Sequence, residues 1–222
     1  MLLDWICLAL AAYVAYRASA EGAWSAVIVF FTVLFSGLFA MNTFEPLAEL
    51  LEQNVSDDPA WRFRWDLISL LGLFIGAVFL LKAVTDRLAP AMMRLPMGLE
   101  FPIRWAAGIL TGYLTIAILI ASLHVAPFPR VVKADEVWEP LGFQAERVNF
   151  FGAGPDRRWL AFNQWVSQHS LSRGQRDRVF DGPRYHSRGD HGLWPSFPIR
   201  YADRREKMTR MRMGLLDPAE IR

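Results

Sequence analysis

Hydrophobic and polar positions divide the chain at about residue 125. Before it lie four stretches that are nearly free of charge and apolar on every side; beyond it, apolar residues stand singly or at helical spacing among Arg, Asp, Gly and Pro. Gly22 to Phe44 is the clearest stretch, 23 uncharged residues between Glu21 and Glu45. At about 1.5 Å per residue it spans a hydrocarbon core of roughly 30 Å. Trp105 to Pro129 gives 25 uncharged residues, its apolar part closing near Leu123, ahead of His124, Pro127 and Pro129. Leu67 to Leu81 has 15, but Asp66 and Lys82 at its ends can place their heads at the interface. Trp5 to Tyr16 has only 12, and becomes long enough as Leu2 to Ala20 when Asp4 and Arg17 lie at opposite surfaces. The pattern predicts an all-α membrane fold. Four transmembrane helices, at about 2–20, 22–44, 65–82 and 104–124, form a module over residues 1–125, followed by a small loop-rich, partly helical C-terminal tail domain over 126–222.

Aromatic placement agrees with four spans. Trp5, Trp24, Trp65 and Trp105 each stand near the start of one, where an amphipathic indole favours the headgroup region, and are read as interfacial anchors. The first apolar stretch ends in Ala18-Ser19-Ala20, a signal-peptide cleavage pattern, but no Lys or Arg precedes it and it contains Asp4, so a retained helix is expected. Of the connections, the one over residues 45–66 is acidic. The one over 82–104 carries Pro90, Pro96 and Pro102 with Met92, Met93, Leu95 and Met97, and is expected to lie along the membrane surface.

The tail is too polar to cross a membrane. Pro155 to Leu171 reads as a helix with Trp159, Leu160, Phe162, Trp165 and Val166 as its apolar stripe, suited either to a small core of the tail or to a membrane surface. Gly174 to Pro198 reads as irregular chain, and Ala202 to Met213 as a basic closing helix.

Charge sharpens this division. The net +2 combines 7 Lys/Arg against 10 Asp/Glu over residues 1–129 with 17 against 12 over the rest, so the module is near −3 and the tail near +5. The tail's basic residues are interspersed with acidic ones, a mixed surface that does not point to nucleic acid. Counting Lys and Arg beside the spans, the first and third connections hold five (Arg17, Lys82, Arg87, Arg94, Arg104) against four opposite (Arg62, Arg64, Arg130, Lys133). That bias places both termini, and the tail, outside the cytoplasm.

Chemistry is sparse. Gly72 and Gly76 in the third span, and Gly108 and Gly112 in the fourth, each put two glycines on one helix face, a pattern for close helix packing within the chain or with another one. Asp4, Arg17, Asp66, Lys82 and His124 all fall at span ends, as anchoring or snorkelling residues would. In the tail, His169, His186, Asp190 and His191 have metal-ligating side chains but no framework to fix them, so no metal or cofactor is expected. Cys7 is the single cysteine. Ser170 and Ser172 lack any nucleophile motif, and there is no phosphate-binding loop, so the chain does not read as an enzyme.

The layout resembles the colicin V production protein family, CvpA. The residues that carry the resemblance are Asp4 ahead of the first span, the link from Arg17 to Gly22, the close of the second span in Phe44-Glu45-Pro46-Leu47-Ala48-Glu49-Leu50-Leu51, and the amphipathic connection leading into Trp105-Ala106-Ala107-Gly108 and on to Gly112. Glu100 and Arg104 stand where that family has an acidic-basic pair, though one of its glycines is missing here, and the resemblance leaves the tail unexplained. It implies a bacterial inner-membrane protein needed for toxin production or export and for envelope upkeep. A scaffold or accessory subunit with a membrane or extracytoplasmic protein partner is the expected role, and an oligomeric transporter or channel the alternative.

Overall fold

The structure is a computed structural model; it describes residues 2–55, 59–88, 96–133, 136–143, 145, 148–169, 180, 185–186, 193–194 and 196–215. The four apolar stretches form four long helices, α1 (Leu2–Ser19), α2 (Ala23–Asn54), α3 (Pro59–Leu88) and α4 (Met97–Val125), all long and apolar enough to cross a membrane. Beyond them lie a hairpin of β1 (Val131–Lys133) and β2 (Glu136–Trp138), a 3-10 turn (Pro140–Gly142), α5 (Pro155–Gln168), the short pair β3 (Tyr185–His186) and β4 (Leu193–Trp194), and α6 (Ser196–Arg212). The chain is thus an all-α multi-pass membrane protein with a C-terminal tail.

The helices reach further than the apolar runs alone indicate. α2 continues past Phe44, through Pro46, to Asn54. Proline removes a backbone donor, and just ahead of it Asn42 and Thr43 donate from their side chains to the carbonyls of Leu38 (2.8 Å) and Phe39 (2.7 Å), holding the turn. α3 likewise starts at Pro59 and runs to Leu88, and α4 begins at Met97, so most of the long third connection is helical. Its Pro90, Met92, Met93 and Leu95 lie outside the described residues.

α1 and α3 run in one direction, α2 and α4 in the other. At one end Gly22, at φ 98°, turns the chain from α1 into α2, and Glu100 of α4 accepts a hydrogen bond from the Ala23 N–H (2.8 Å). A carboxylate there satisfies a first-turn amide that has no partner within its own helix and complements the positive end of the helix dipole. The start of α1, the end of α2, the start of α3, the end of α4 and the tail all gather at the opposite end, termed here the tail end. Trp5 and Trp65 stand towards the tail end, and Trp24 and Trp105 towards the other.

Among the described residues, buried apolar side chains of the tail join those of the bundle. Trp159 and Leu160 of α5 and Phe197 and Tyr201 of α6 belong to one apolar cluster with Met41 and Phe44 of α2, Leu70 and Phe74 of α3, and Ile118 and Ala121 of α4. A second cluster joins Leu3 and Cys7 of α1 to Ile116 and Ile120 of α4 and to Phe143 of the tail. α4 is the most enclosed of the four long helices and α3 the least.

Candidate functional site

Among the described residues, three groups of polar contacts stand at the tail end. The first lines a cavity of about 550 Å³ between α6 and the ends of α2 and α3. α2 brings Glu45, Glu49 and Glu52 to it, α3 brings Phe63 and Asp66, and α6 brings Arg200, Tyr201, Asp203, Arg204 and Lys207. Arg200 Nη2 donates to Glu45 Oε1 (2.5 Å), and the Tyr201 hydroxyl donates to the same oxygen (3.3 Å). Arg204 pairs with buried Asp66, its guanidinium 5.3 Å from the centre of the Phe63 ring. Burial pushes the Tyr201 hydroxyl well above its ordinary range, and the charges of Asp66 and Glu45 push the same way. The continuation of α2 beyond the apolar run creates this wall, because it carries three glutamates out over the bundle at helical spacing.

The second is a buried ion cluster within the tail. Glu139 Oε1 accepts from Arg130 Nη1 (2.8 Å) and lies 3.3 Å from Arg205 Nη2, with all three side chains under a tenth exposed. The Arg130 N–H donates to Thr209 Oγ1 (2.9 Å), so the strand leaving α4 is fastened to α6. The third joins tail to bundle. His124 Nε2 at the end of α4 lies 2.9 Å from Asp156 Oδ2 at the start of α5, and both side chains are enclosed. His124 also stands edge-on to Phe143, with ring centres 4.9 Å apart. Burial alone would raise the Asp156 carboxyl. The hydrogen bond and charge of His124, with the N–H and charge of Arg157, outweigh it and hold the group below the usual carboxylate range. Asp4 is engaged too, accepting from the Phe150 N–H (2.9 Å).

These contacts correct the reading of Asp66 and His124 as snorkelling residues. Both are at span ends, but both point inward and are paired with the tail. A buried charge without a partner costs several kcal/mol, about 3–5 when one member of such a pair is removed. Loss of the tail would take these partners from Asp66 and His124.

The two glycine pairs have different surroundings. A β-carbon on Gly108 would stand 2.6 Å from the Ala15 carbonyl oxygen of α1, and one on Gly112 would come closer still to that of Ala11, so α1 and α4 meet backbone to backbone. Among the described residues nothing lies within 4 Å of a β-carbon built on Gly72 or Gly76. Gly37, absent from the glycine pairs, is also closely approached, by side chains where Gly108 meets backbone. A β-carbon on Gly37 would meet Ile118 Cδ1 at 2.5 Å and Trp159 Cζ2 at 2.8 Å. Of the anchors, Trp5 is 62% exposed and Trp65 stacks on Trp61, whereas the indole nitrogens of Trp24 and Trp105 are enclosed with no hydrogen-bond partner among the described residues.

His169 is exposed and bonded to the Trp165 carbonyl (2.8 Å). Ser170, Ser172, Asp190 and His191 lie outside the described residues, as does the side chain of His186. Among the described residues no group of three His, Cys, Asp or Glu is placed to hold a metal ion. No family model, curated protein or solved structure matches the chain.

Proposed function

We propose that the chain is a membrane scaffold or accessory subunit that holds a partner protein in the bilayer, in toxin production or export or in envelope maintenance, as the resemblance to the colicin V production proteins suggests. The observation that carries this reading is the open glycine face of α3. Gly72 and Gly76 lie on the least enclosed span with Ile68 and Ile75 exposed beside them, a surface that admits the backbone of another transmembrane helix. The partner is a membrane or extracytoplasmic protein, the chain lies in the inner membrane, and its tail end faces outward. A reporter fused after Arg222 tests that orientation.

Capture of the full chain from its own membranes in mild detergent should recover a stoichiometric partner. Gly72→Leu and Gly76→Leu should release it with little change in thermal stability, because among the described residues nothing stands within 4 Å of a β-carbon at either position. Recovery of the chain alone, or unchanged recovery of the partner with both variants, would overturn the proposal. The cavity of about 550 Å³ lined by acids and bases favours a second reading, a small transporter or channel acting as an oligomer. It requires a solute flux in liposomes that Arg204→Ala alters, and silent liposomes rule against it.

A further inference from the structure

α5 carries large aromatic side chains on its exposed face and polar ones on its buried face. Its buried face carries Asp156, Asn163, Gln164 and Ser167 beside Trp159 and Leu160, while Phe162 and Trp165 point outward, 37% and 53% exposed. A helix on a soluble domain shows the reverse, polar residues outward and aromatic ones within. The inward polar groups are engaged. Asp156 meets His124, Asn163 donates to the Trp159 carbonyl (2.9 Å), and Ser167 accepts from the Phe180 N–H (3.1 Å). The outward aromatics form a continuous ladder, with Phe162 stacked on Trp165 at 6.4 Å and Trp165 on His169 at 5.1 Å.

Depth gives α5 its surroundings. Buried Trp159 reaches Gly37 of α2 beside Ile118 of α4, seven positions inside the end of the apolar run of α2 at Phe44 and five inside that of α4 near Leu123. At 1.5 Å per residue that is about 7–10 Å below the tail-end edge of the apolar zone. Phe151, just before α5, packs edge-on against exposed Trp5 of α1 with ring centres 5.4 Å apart, so a second pair of outward aromatic rings stands at the tail end. Charged or polar Arg158 and His169 flank the aromatic stretch on the exposed side, where they can extend towards headgroups.

We propose that α5 is a membrane-embedded part of the tail. Its Phe162–Trp165 face, with Phe151 and Trp5, rests in the headgroup and upper acyl zone of the bilayer and completes the aromatic belt at the tail end. The ligand of this surface is lipid, and its inward polar face is the price of docking onto the bundle. The proposal holds whatever partner α3 takes, since the two faces share no residue.

The test is spin-label accessibility of the full chain in lipid vesicles, in a Cys7→Ala background. Labels on Phe162→Cys and Trp165→Cys are compared with one on Arg210→Cys, an exposed position of α6. At 162 and 165 collision with a polar nickel chelate should be about tenfold lower than at 210, while collision with oxygen is higher, since hydrocarbon excludes polar solutes and dissolves oxygen. Nickel accessibility equal to that at 210 would place the face in water and overturn the proposal. Low accessibility to both probes would mean that a protein covers the face, and would overturn it as well. Two separate labels guard against a local distortion, and a monodisperse elution profile matching the background chain verifies folding.

Discussion

Gly108 and Gly112 offer a quantitative test of how this bundle is held, because Gly72 and Gly76 repeat the same spacing without the same contacts. An alanine at 108 would place its β-carbon 2.6 Å from a backbone carbonyl oxygen of α1, and one at 112 closer still, where ordinary contact begins near 3.4 Å. Backbone cannot swing aside as a side chain does, so α1 must move away from α4 by most of an ångström along its length. Overpacking of this kind costs about 1–3 kcal/mol. Because one displacement of α1 relieves both sites, Gly108→Ala and Gly112→Ala should be sub-additive, the double variant costing clearly less than the sum. Gly72→Ala and Gly76→Ala meet nothing among the described residues and gain helix propensity, so each should be neutral or stabilising by at most about 1 kcal/mol. Unfolding of the purified protein by titration of SDS into mixed micelles reads these differences directly. Equal costs at all four positions, or a neutral Gly112→Ala, would refute the packing of α1 on α4.

The buried cluster predicts that Glu139→Gln, which strips the counter-charge from Arg130 and Arg205, lowers stability by about 3–5 kcal/mol, seen as a large fall in Tm in detergent. Of the two ion pairs lining the cavity, Arg204→Ala strands buried Asp66 and should cost well over 1 kcal/mol, whereas Arg200→Ala frees only a half-exposed pair worth up to about 1 kcal/mol. Asp156 has its folded pKa held below the unfolded value, so its contribution is present above the unfolded pKa and is lost as pH falls through the folded one. Denaturation profiles over the acidic range should therefore steepen for the wild type relative to Asp156→Asn, and identical profiles would contradict the assignment.

The four crossings are legible in the sequence because a bilayer demands a contiguous apolar run from each helix, and such a run needs no knowledge of its neighbours. What depends on neighbours is not legible. Asp66 and His124 look like residues at a water interface until their partners are known, and those partners, Arg204 and Asp156, stand 138 and 32 positions away. The glycine pairs are alike as motifs and differ only in what faces them. The apolar stripe on α5, which the sequence leaves suited either to a core or to a membrane surface, is divided between two faces: Trp159, Leu160 and Val166 turn in. Phe162 and Trp165 turn out, because the docked surface takes the polar side chains as well. α2 ends ten residues beyond its apolar run, since Glu45 ends the apolar pattern but not the helix, and the walls of the cavity follow from that extension. Gly37 had a detectable signal, a lone glycine in the middle of the clearest span, where only a close approach explains the loss of a side chain.

The central claim is that the tail is locked to the membrane bundle through enclosed polar contacts, and a double-mutant cycle on His124 and Asp156 tests it most directly. His124→Ala takes from buried Asp156 its side-chain partner and Asp156→Ala takes from buried His124 its carboxylate, while the double variant leaves neither group. In the full chain in mixed micelles, the double variant should be less destabilised than the sum of the singles by about 2 kcal/mol or more. Additivity within about 0.5 kcal/mol would show that the two side chains do not meet, and would contradict the account.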